Sequence, residues 1–190
     1  MKLLHLDSSA LGADSVSREL TAAIVGQQQR LDPKVEVVRR DVDADALPHL
    51  SAATFASADA AAQSAAVLDE FLAADTVVIG APMYNFSIPS TLKAWIDRIS
   101  VAGKTFRYGP NGPEGLVRGK TVIVAIASGG SHAGEPTDFV EPYLRQLFGF
   151  LGVRDIRFVR ADGVALSPEY RRAAIDAAVA SLDVELPRAA

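Results

Sequence analysis

The sequence predicts an α/β protein: an open, doubly wound sheet of five parallel strands with helices on both faces. Three observations carry this prediction. Short apolar or β-branched runs occur five times along the 190 residues. Amphipathic stretches with apolar residues at helical spacing separate them. The runs are unbroken rather than alternating, as strands buried on both faces require. Right-handed crossovers wind such a chain into an open sheet, and five strands are too few for an eight-stranded barrel.

In chain order, Leu3 to Leu6 form the first strand, which stops at Asp7-Ser8-Ser9. Val16, Leu20, Ala23 and Ile24 then share one helical face, and Val35 to Val38 form the second strand after the turn-like Asp32-Pro33. Ser51 to Ala66 is Ala- and Ser-rich, with Phe55 as its one bulky residue. It reads as a mobile loop leading into a helix through Val67, Leu68, Phe71 and Leu72, or as a flexible wall over a binding site. Thr76 to Gly80 is the third strand, and a helix starting at Pro89 runs through Leu92, Trp95, Ile96 and Ile99. Lys104 to Lys120 is rich in Gly and Pro with Phe106 and Tyr108 alternating, the pattern of a small inserted hairpin (about residues 104–118). Val122 to Ala127 and Ile156 to Val159 supply the last two strands, and Ile175, Ala178, Val179 and Leu182 place the final helix. The expectation is one domain over residues 1–186, with Pro187 to Ala190 as a frayed tail.

Composition narrows the chemistry. Hydrophobic residues make up 49% and charged residues 22%, which excludes disorder over most of the length. A formal charge of −4 argues against nucleic acid or anionic lipid as a general partner. No run approaches the ~20 apolar residues of a membrane span, and no signal-peptide pattern follows Met1-Lys2, so a cytoplasmic location is expected. With Cys at 0, disulfides, thiol catalysis and thiolate metal sites are excluded, and 3 His argue against a multi-histidine metal site. No metal is expected.

Ligands of open parallel sheets bind beyond the carboxyl ends of the strands, where the winding reverses. Three loops there are informative. The first has no G-x-G-x-x-G, which excludes the dinucleotide fingerprint, but Ser9, Ser15 and Ser17 cluster hydroxyls at a helix start. Free N–H groups and the peptide dipole make such a start receptive to phosphate; the same serines also read as plain helix caps. Gly119-Lys120-Thr121 has the look of a Walker A ending, but Glu114 stands where its first Gly belongs, and the tripeptide precedes a strand.

The third-strand loop runs Pro82-Met83-Tyr84-Asn85-Phe86. Apolar bulk beside an amide that both donates and accepts suits a planar heterocycle; the alternative is that Met83 and Phe86 turn inward as core residues. Ser128-Gly129-Gly130 after the fourth strand permits close backbone approach to a ligand, or forms an ordinary turn. His132 is read either as a surface residue or as a substrate contact.

These motifs resemble the FMN-dependent NADH:quinone oxidoreductases known as azoreductases, within the flavodoxin-like folds. The carrying residues are Ser9, Ser15-Val16-Ser17, Pro82 to Phe86, Pro89 to Tyr108, Gly112 to Leu116, Pro136 to Asp138 and Phe148 to Gly152. The resemblance implies a flavodoxin-like doubly wound five-stranded parallel sheet and bound FMN. It implies a ping-pong transfer of two electrons from NADH or NADPH to quinones or azo compounds, with flavin N5 as the reactive centre and no catalytic side chain. Ser9, Ser15, Val16 and Ser17 would then hold the phosphate, Pro82, Met83, Tyr84, Asn85 and Phe86 would border the ring, and Ser128, Gly129 and Gly130 would face its pyrimidine edge. Tyr84, Asn85 and His132 are the candidate substrate contacts. The resemblance also implies a homodimer, for which Phe55, Phe106, Tyr108 and Phe148 are the candidate surface. One departure is that many members carry Arg directly before the Gly pair, where this chain has Ser128. A flavodoxin-type electron carrier, the alternative, shares fold and cofactor; such carriers tend to be strongly acidic, and −4 is mild.

Overall fold

The structure, a computed structural model, describes residues 1–185; Pro187 to Ala190, predicted as a tail, lie outside the described residues. The chain runs β1 (Lys2–Asp7), α1 (Val16–Leu31), β2 (Glu36–Asp41), α2 (Ala52–Ala56), α3 (Ala58–Ala73), β3 (Thr76–Pro82), α4 (Ser90–Ile99), β4 (Phe106–Gly109), β5 (Gly112–Gly115), β6 (Thr121–Ser128), α5 (Val140–Leu151), β7 (Asp155–Asp162) and α6 (Pro168–Glu185). Five strands form one parallel sheet in the order β2-β1-β3-β6-β7. The winding reverses between β1 and β3, which opens a crevice at their carboxyl ends.

Unbroken apolar strands give this sheet two dry faces. Leu4, Leu6, Val77, Ile79, Val122, Val124 and Ile126 point to one core with Phe71, Trp95, Leu144 and Phe148. Leu3, Val78, Ile123 and Ala125 point to the other, with Leu20 and Ile24 of α1 and Ile175 and Leu182 of α6. The edge strand β2 is different: it extends through Arg39, Arg40 and Asp41 and is only partly buried. Apolar patterning alone ended it at Val38: Val37 and Val38 pack against the two cores, whereas the last three residues are charged and continue the strand through main-chain pairing with β1.

Two further departures concern helix ends. The mobile loop expected from Ser51 is instead the short helix α2, capped by a reciprocal pair in which Ser51 Oγ accepts from Thr54 N and Thr54 Oγ1 accepts from Ser51 N. Ser57 then caps α3 through Ala60 N, so the serines break the helix rather than loosen the chain. Helix α4 begins at Ser90, with Pro89 as its cap residue.

Strands β4 and β5 pair antiparallel, Phe106 opposite Gly115. They pack onto the end of α5, where a Cβ on Gly115 would lie 2.3 Å from Gly152 N.

Candidate functional site

Three loops meet at the carboxyl end of the sheet, and each is shaped by its own residues. Gly80 of β3 allows the start of α1 to sit close: a Cβ there would lie 3.3 Å from Thr21 Cγ2 and 3.6 Å from the Ser17 carbonyl oxygen. Ser9, Ser15 and Ser17 are all buried. Ser15 caps α1 by accepting from Arg18 N at 3.3 Å, and its Oγ lies 3.1 Å from Ser17 Oγ. Ser9 Oγ lies 3.0 Å from Tyr84 Oη, which also accepts from Ala10 N at 3.1 Å. The cap reading therefore holds for Ser15, whereas Ser9 joins the first loop to the third-strand loop. Val16 is buried in the core beneath the helix start.

The charge near this loop is already balanced. The Arg18 guanidinium donates twice to Asp41 and once to the Ser9 carbonyl, at 2.9 Å. Beneath it, fully buried Asp7 accepts from Thr21 Oγ1 at 2.8 Å and from Arg39 at 3.1 Å, with His5 Nε2 3.3 Å away. Burial works to raise the Asp7 pKa, but the bonds and charge from His5, Thr21 and Arg39 outweigh it and hold the carboxyl below its ordinary value. What remains for an anion is a set of neutral hydroxyls at a helix N-terminus, the donor chemistry suited to a phosphomonoester. A cavity of about 650 Å³ lined by Gly12, Ser15, Arg18 and Asp41 opens beside them.

In the third-strand loop, Pro82 is buried and Met83 packs against the core. Tyr84 and Ser87 exchange backbone bonds at 2.8 and 3.0 Å. Between them Asn85 (φ 50) and Phe86 (φ 67) are both left-handed, the signature of a type I′ turn. Asn tolerates that conformation; a bulky aromatic there is strained by about 1–2 kcal/mol. The turn keeps Phe86 half exposed, with its ring edge-on to His132 at 5.8 Å. Of the two residues considered for the core, Met83 faces inward and Phe86 outward.

The third loop follows β6. The Ser128, Gly129 and Gly130 carbonyls accept from Val164 N, Ala165 N and Gly163 N at 3.1, 3.2 and 3.0 Å. In a planar trans peptide the N–H points opposite the carbonyl. The N–H groups of Gly129, Gly130 and Ser131 are therefore turned away from the 163–165 segment. The glycines leave room for close neighbours: a Cβ at 129 would lie 3.3 Å from Ala165 Cβ and one at 130 would lie 3.1 Å from His132 Nε2. His132 is fixed by Nδ1 against Thr137 Oγ1 at 2.9 Å.

Ser128 is buried, and its Oγ donates to Asp162 Oδ1 at 2.7 Å. Asp162, which sequence reasoning missed, also accepts from His132 N at 3.2 Å and Ala133 N at 2.9 Å, with Arg160 3.4 Å away. Burial would raise its pKa, but the Ser128 hydroxyl, Arg160 and the two main-chain donors hold it down. The available signal was an acidic residue closing an apolar strand, the position Asp7 also occupies. Phe148, a candidate for the subunit surface by sequence, is fully buried in the core and is removed from that role. Phe55 and Tyr108 are exposed, and Phe106 is half-buried against Tyr108 and Phe150.

The sheet order and the loops at its switch point define the flavodoxin-like class, and the sequence matches the flavodoxin-like fold family over residues 1–186. At 64% identity over 187 residues, covering 97% of each chain, it is similar to FMN-dependent NADH:quinone oxidoreductase 1 of Xanthomonas axonopodis pv. citri. The enzyme of that name from Stenotrophomonas maltophilia is 55% identical, covering 96% of this chain and 94% of its own. Among solved structures, an azoreductase from Bacillus anthracis superposes with a TM-score of 0.86 at 29% identity, covering 95% and 96% of the two chains. An FMN-dependent NADH-azoreductase from the same species, solved with FMN, gives 0.85 at 25% identity over 96% and 98%. The chain belongs to the FMN-dependent NADH:quinone oxidoreductase family.

Proposed function

We propose that this chain is an FMN-dependent oxidoreductase that moves two electrons from NADH or NADPH to quinones and azo compounds. The observation that carries the reading is the convergence of a neutral hydroxyl cluster, a rigid aromatic turn and a row of main-chain donors around one crevice. FMN, when bound, would supply the two-electron redox chemistry. The residues do the rest. Ser9, Ser15 and Ser17 with the start of α1 hold the phosphate without a free cation. The N–H groups of Gly129 and Gly130, turned away from residues 163–165, would donate to the ring's pyrimidine edge and favour negative charge there. Asn85 offers both donor and acceptor to the ring edge, and Phe86 with His132 walls the acceptor's place. Tyr84 holds the turn to the first loop.

Donor and acceptor use the same place in turn, so the kinetics are ping-pong. Initial rates at several quinone concentrations give parallel double-reciprocal lines against NADH; intersecting lines contradict the cycle. The working unit is a homodimer with Phe55 and Tyr108, both exposed in the single chain, covering the partner's crevice. A monomeric mass by light scattering contradicts that arrangement. Among the described residues no helix is long and apolar enough to cross a membrane; the use of NAD(P)H as donor supports a cytoplasmic location for the enzyme.

A further inference from the structure

Ser128 and Asp162 bracket the loop that carries the ring-edge donors. We propose that Asp162 is a positioning residue for the Gly129–Ser131 amide row, holding the loop after β6 in the orientation that presents those N–H groups to the flavin's pyrimidine edge. The inference rests on the functional reading above and deepens it.

The geometry brackets the row from both ends. At its start, Asp162 Oδ1 accepts from Ser128 Oγ at 2.7 Å. At its finish, Asp162 Oδ2 accepts from His132 N at 3.2 Å and from Ala133 N at 2.9 Å. Between these anchors, the three carbonyls are bound to the main chain of residues 163–165, immediately after Asp162. One carboxylate therefore ties the row to β7, and the following residues fix which way each peptide faces. No other side chain is bonded to both ends of the loop among the described residues.

The carboxylate is in turn held in place. Arg160, 3.4 Å from Asp162, donates to Asp138 at 2.7 Å and to Glu141 at 3.0 Å. Asp138 caps the start of α5 by accepting from Val140 N and Glu141 N at 3.2 Å each. The loop is thereby braced between β7 and α5. An amide in place of the carboxylate removes the charge behind these bonds; its NH2 group either donates to Ser128 Oγ, whose one hydrogen then goes to the Gly130 carbonyl 2.8 Å away, or opposes the two N–H donors.

Asp162→Asn, Asp162→Glu and Ser128→Ala in the full chain, freed of flavin and titrated with FMN and with riboflavin, test this. Because the row faces the ring and not the phosphate, Asp162→Asn weakens both ligands by the same factor, about tenfold for loss of charge-assisted bonds. Ser128→Ala weakens both by roughly threefold. Asp162→Glu, which keeps both oxygens, restores binding to within about threefold of wild type. A role confined to holding the fold lowers the melting temperature without moving either dissociation constant, and that result overturns the proposal. So does a loss seen with FMN alone, which would place the effect at the phosphate. If Asp162→Asn does not fold, unchanged binding in Ser128→Ala overturns it equally. Wild-type protein that binds no flavin defeats the functional reading itself; wild-type binding with unaltered variants defeats the inference alone.

Discussion

Ser15→Asp separates the two roles that Ser15 plays. As the cap of α1 it accepts from Arg18 N, and Asp is as good a cap as Ser. A negative charge at that helix start is favourable by about 0.3–1 kcal/mol, so stability is unchanged or slightly raised. Toward a bound phosphate the effect is opposite. Two like unit charges about 4 Å apart at an effective dielectric near 20 repel by about 4 kcal/mol. The helix dipole offsets part of this, which leaves at least ~3 kcal/mol and more than a hundredfold weaker FMN binding. Riboflavin, which lacks the phosphate, binds as to wild type. The assay is flavin fluorescence titrated with protein for both ligands, with thermal unfolding alongside. FMN bound as tightly as by wild type, or equal losses for both ligands, would refute the assignment of this loop to the phosphate.

Three further outcomes are expected. Gly115→Ala drives a methyl group to within 2.3 Å of Gly152 N and 2.4 Å of the Leu151 carbonyl carbon. The fold loses about 3 kcal/mol and roughly 6–12 °C in melting temperature; a calorimetric shift under 2 °C would contradict the packing described. Acid destabilises the protein through Asp7, Asp41 and Asp162, whose folded pKa values lie below those of the unfolded chain. That stabilisation is complete above the unfolded value of about 3.9 and is lost as pH falls through the folded values. The urea midpoint should accordingly be flat from neutral pH to about pH 5 and fall below about pH 4, and a midpoint that rises in acid would be inconsistent with these pairs. Lys120 is buried against Phe71 with the Ala74 carbonyl as its hydrogen-bond partner, and burial lowers its pKa. Lys120→Met removes this ill-solvated charge at similar volume and raises the melting temperature by about 2–4 °C; a fall of that size would show that the ammonium supports the fold.

Strand and helix succession could be read from the sequence because burial on both faces writes unbroken apolar runs such as Thr76 to Gly80. The same logic truncated β2, whose Arg39 to Asp41 end pairs with β1 without needing apolar side chains. The stretch from Ser51 looked irregular because Ala and Ser carry little periodicity, and only the capping bonds of Ser51 and Ser57 reveal two helices. At the site, loop membership followed from residue type and position at strand ends. Orientation did not. Whether Met83 or Phe86 turned inward depended on two consecutive left-handed residues, a property of the tight turn that composition does not encode. Asp162 and Arg18 act through partners far along the chain, Ser128 and Asp41 respectively, and single-residue patterns carry no trace of such pairings. Phe148 was misplaced for a simpler reason: an aromatic side chain suits a core and an interface alike.

The proposed activity requires that the crevice between β1 and β3 carry a working flavin. An anaerobic titration of the FMN-loaded protein tests it: NADH should bleach the yellow colour with one equivalent, and a quinone should restore it. Protein that takes up no FMN, or whose bound flavin neither NADH nor NADPH reduces, would contradict it.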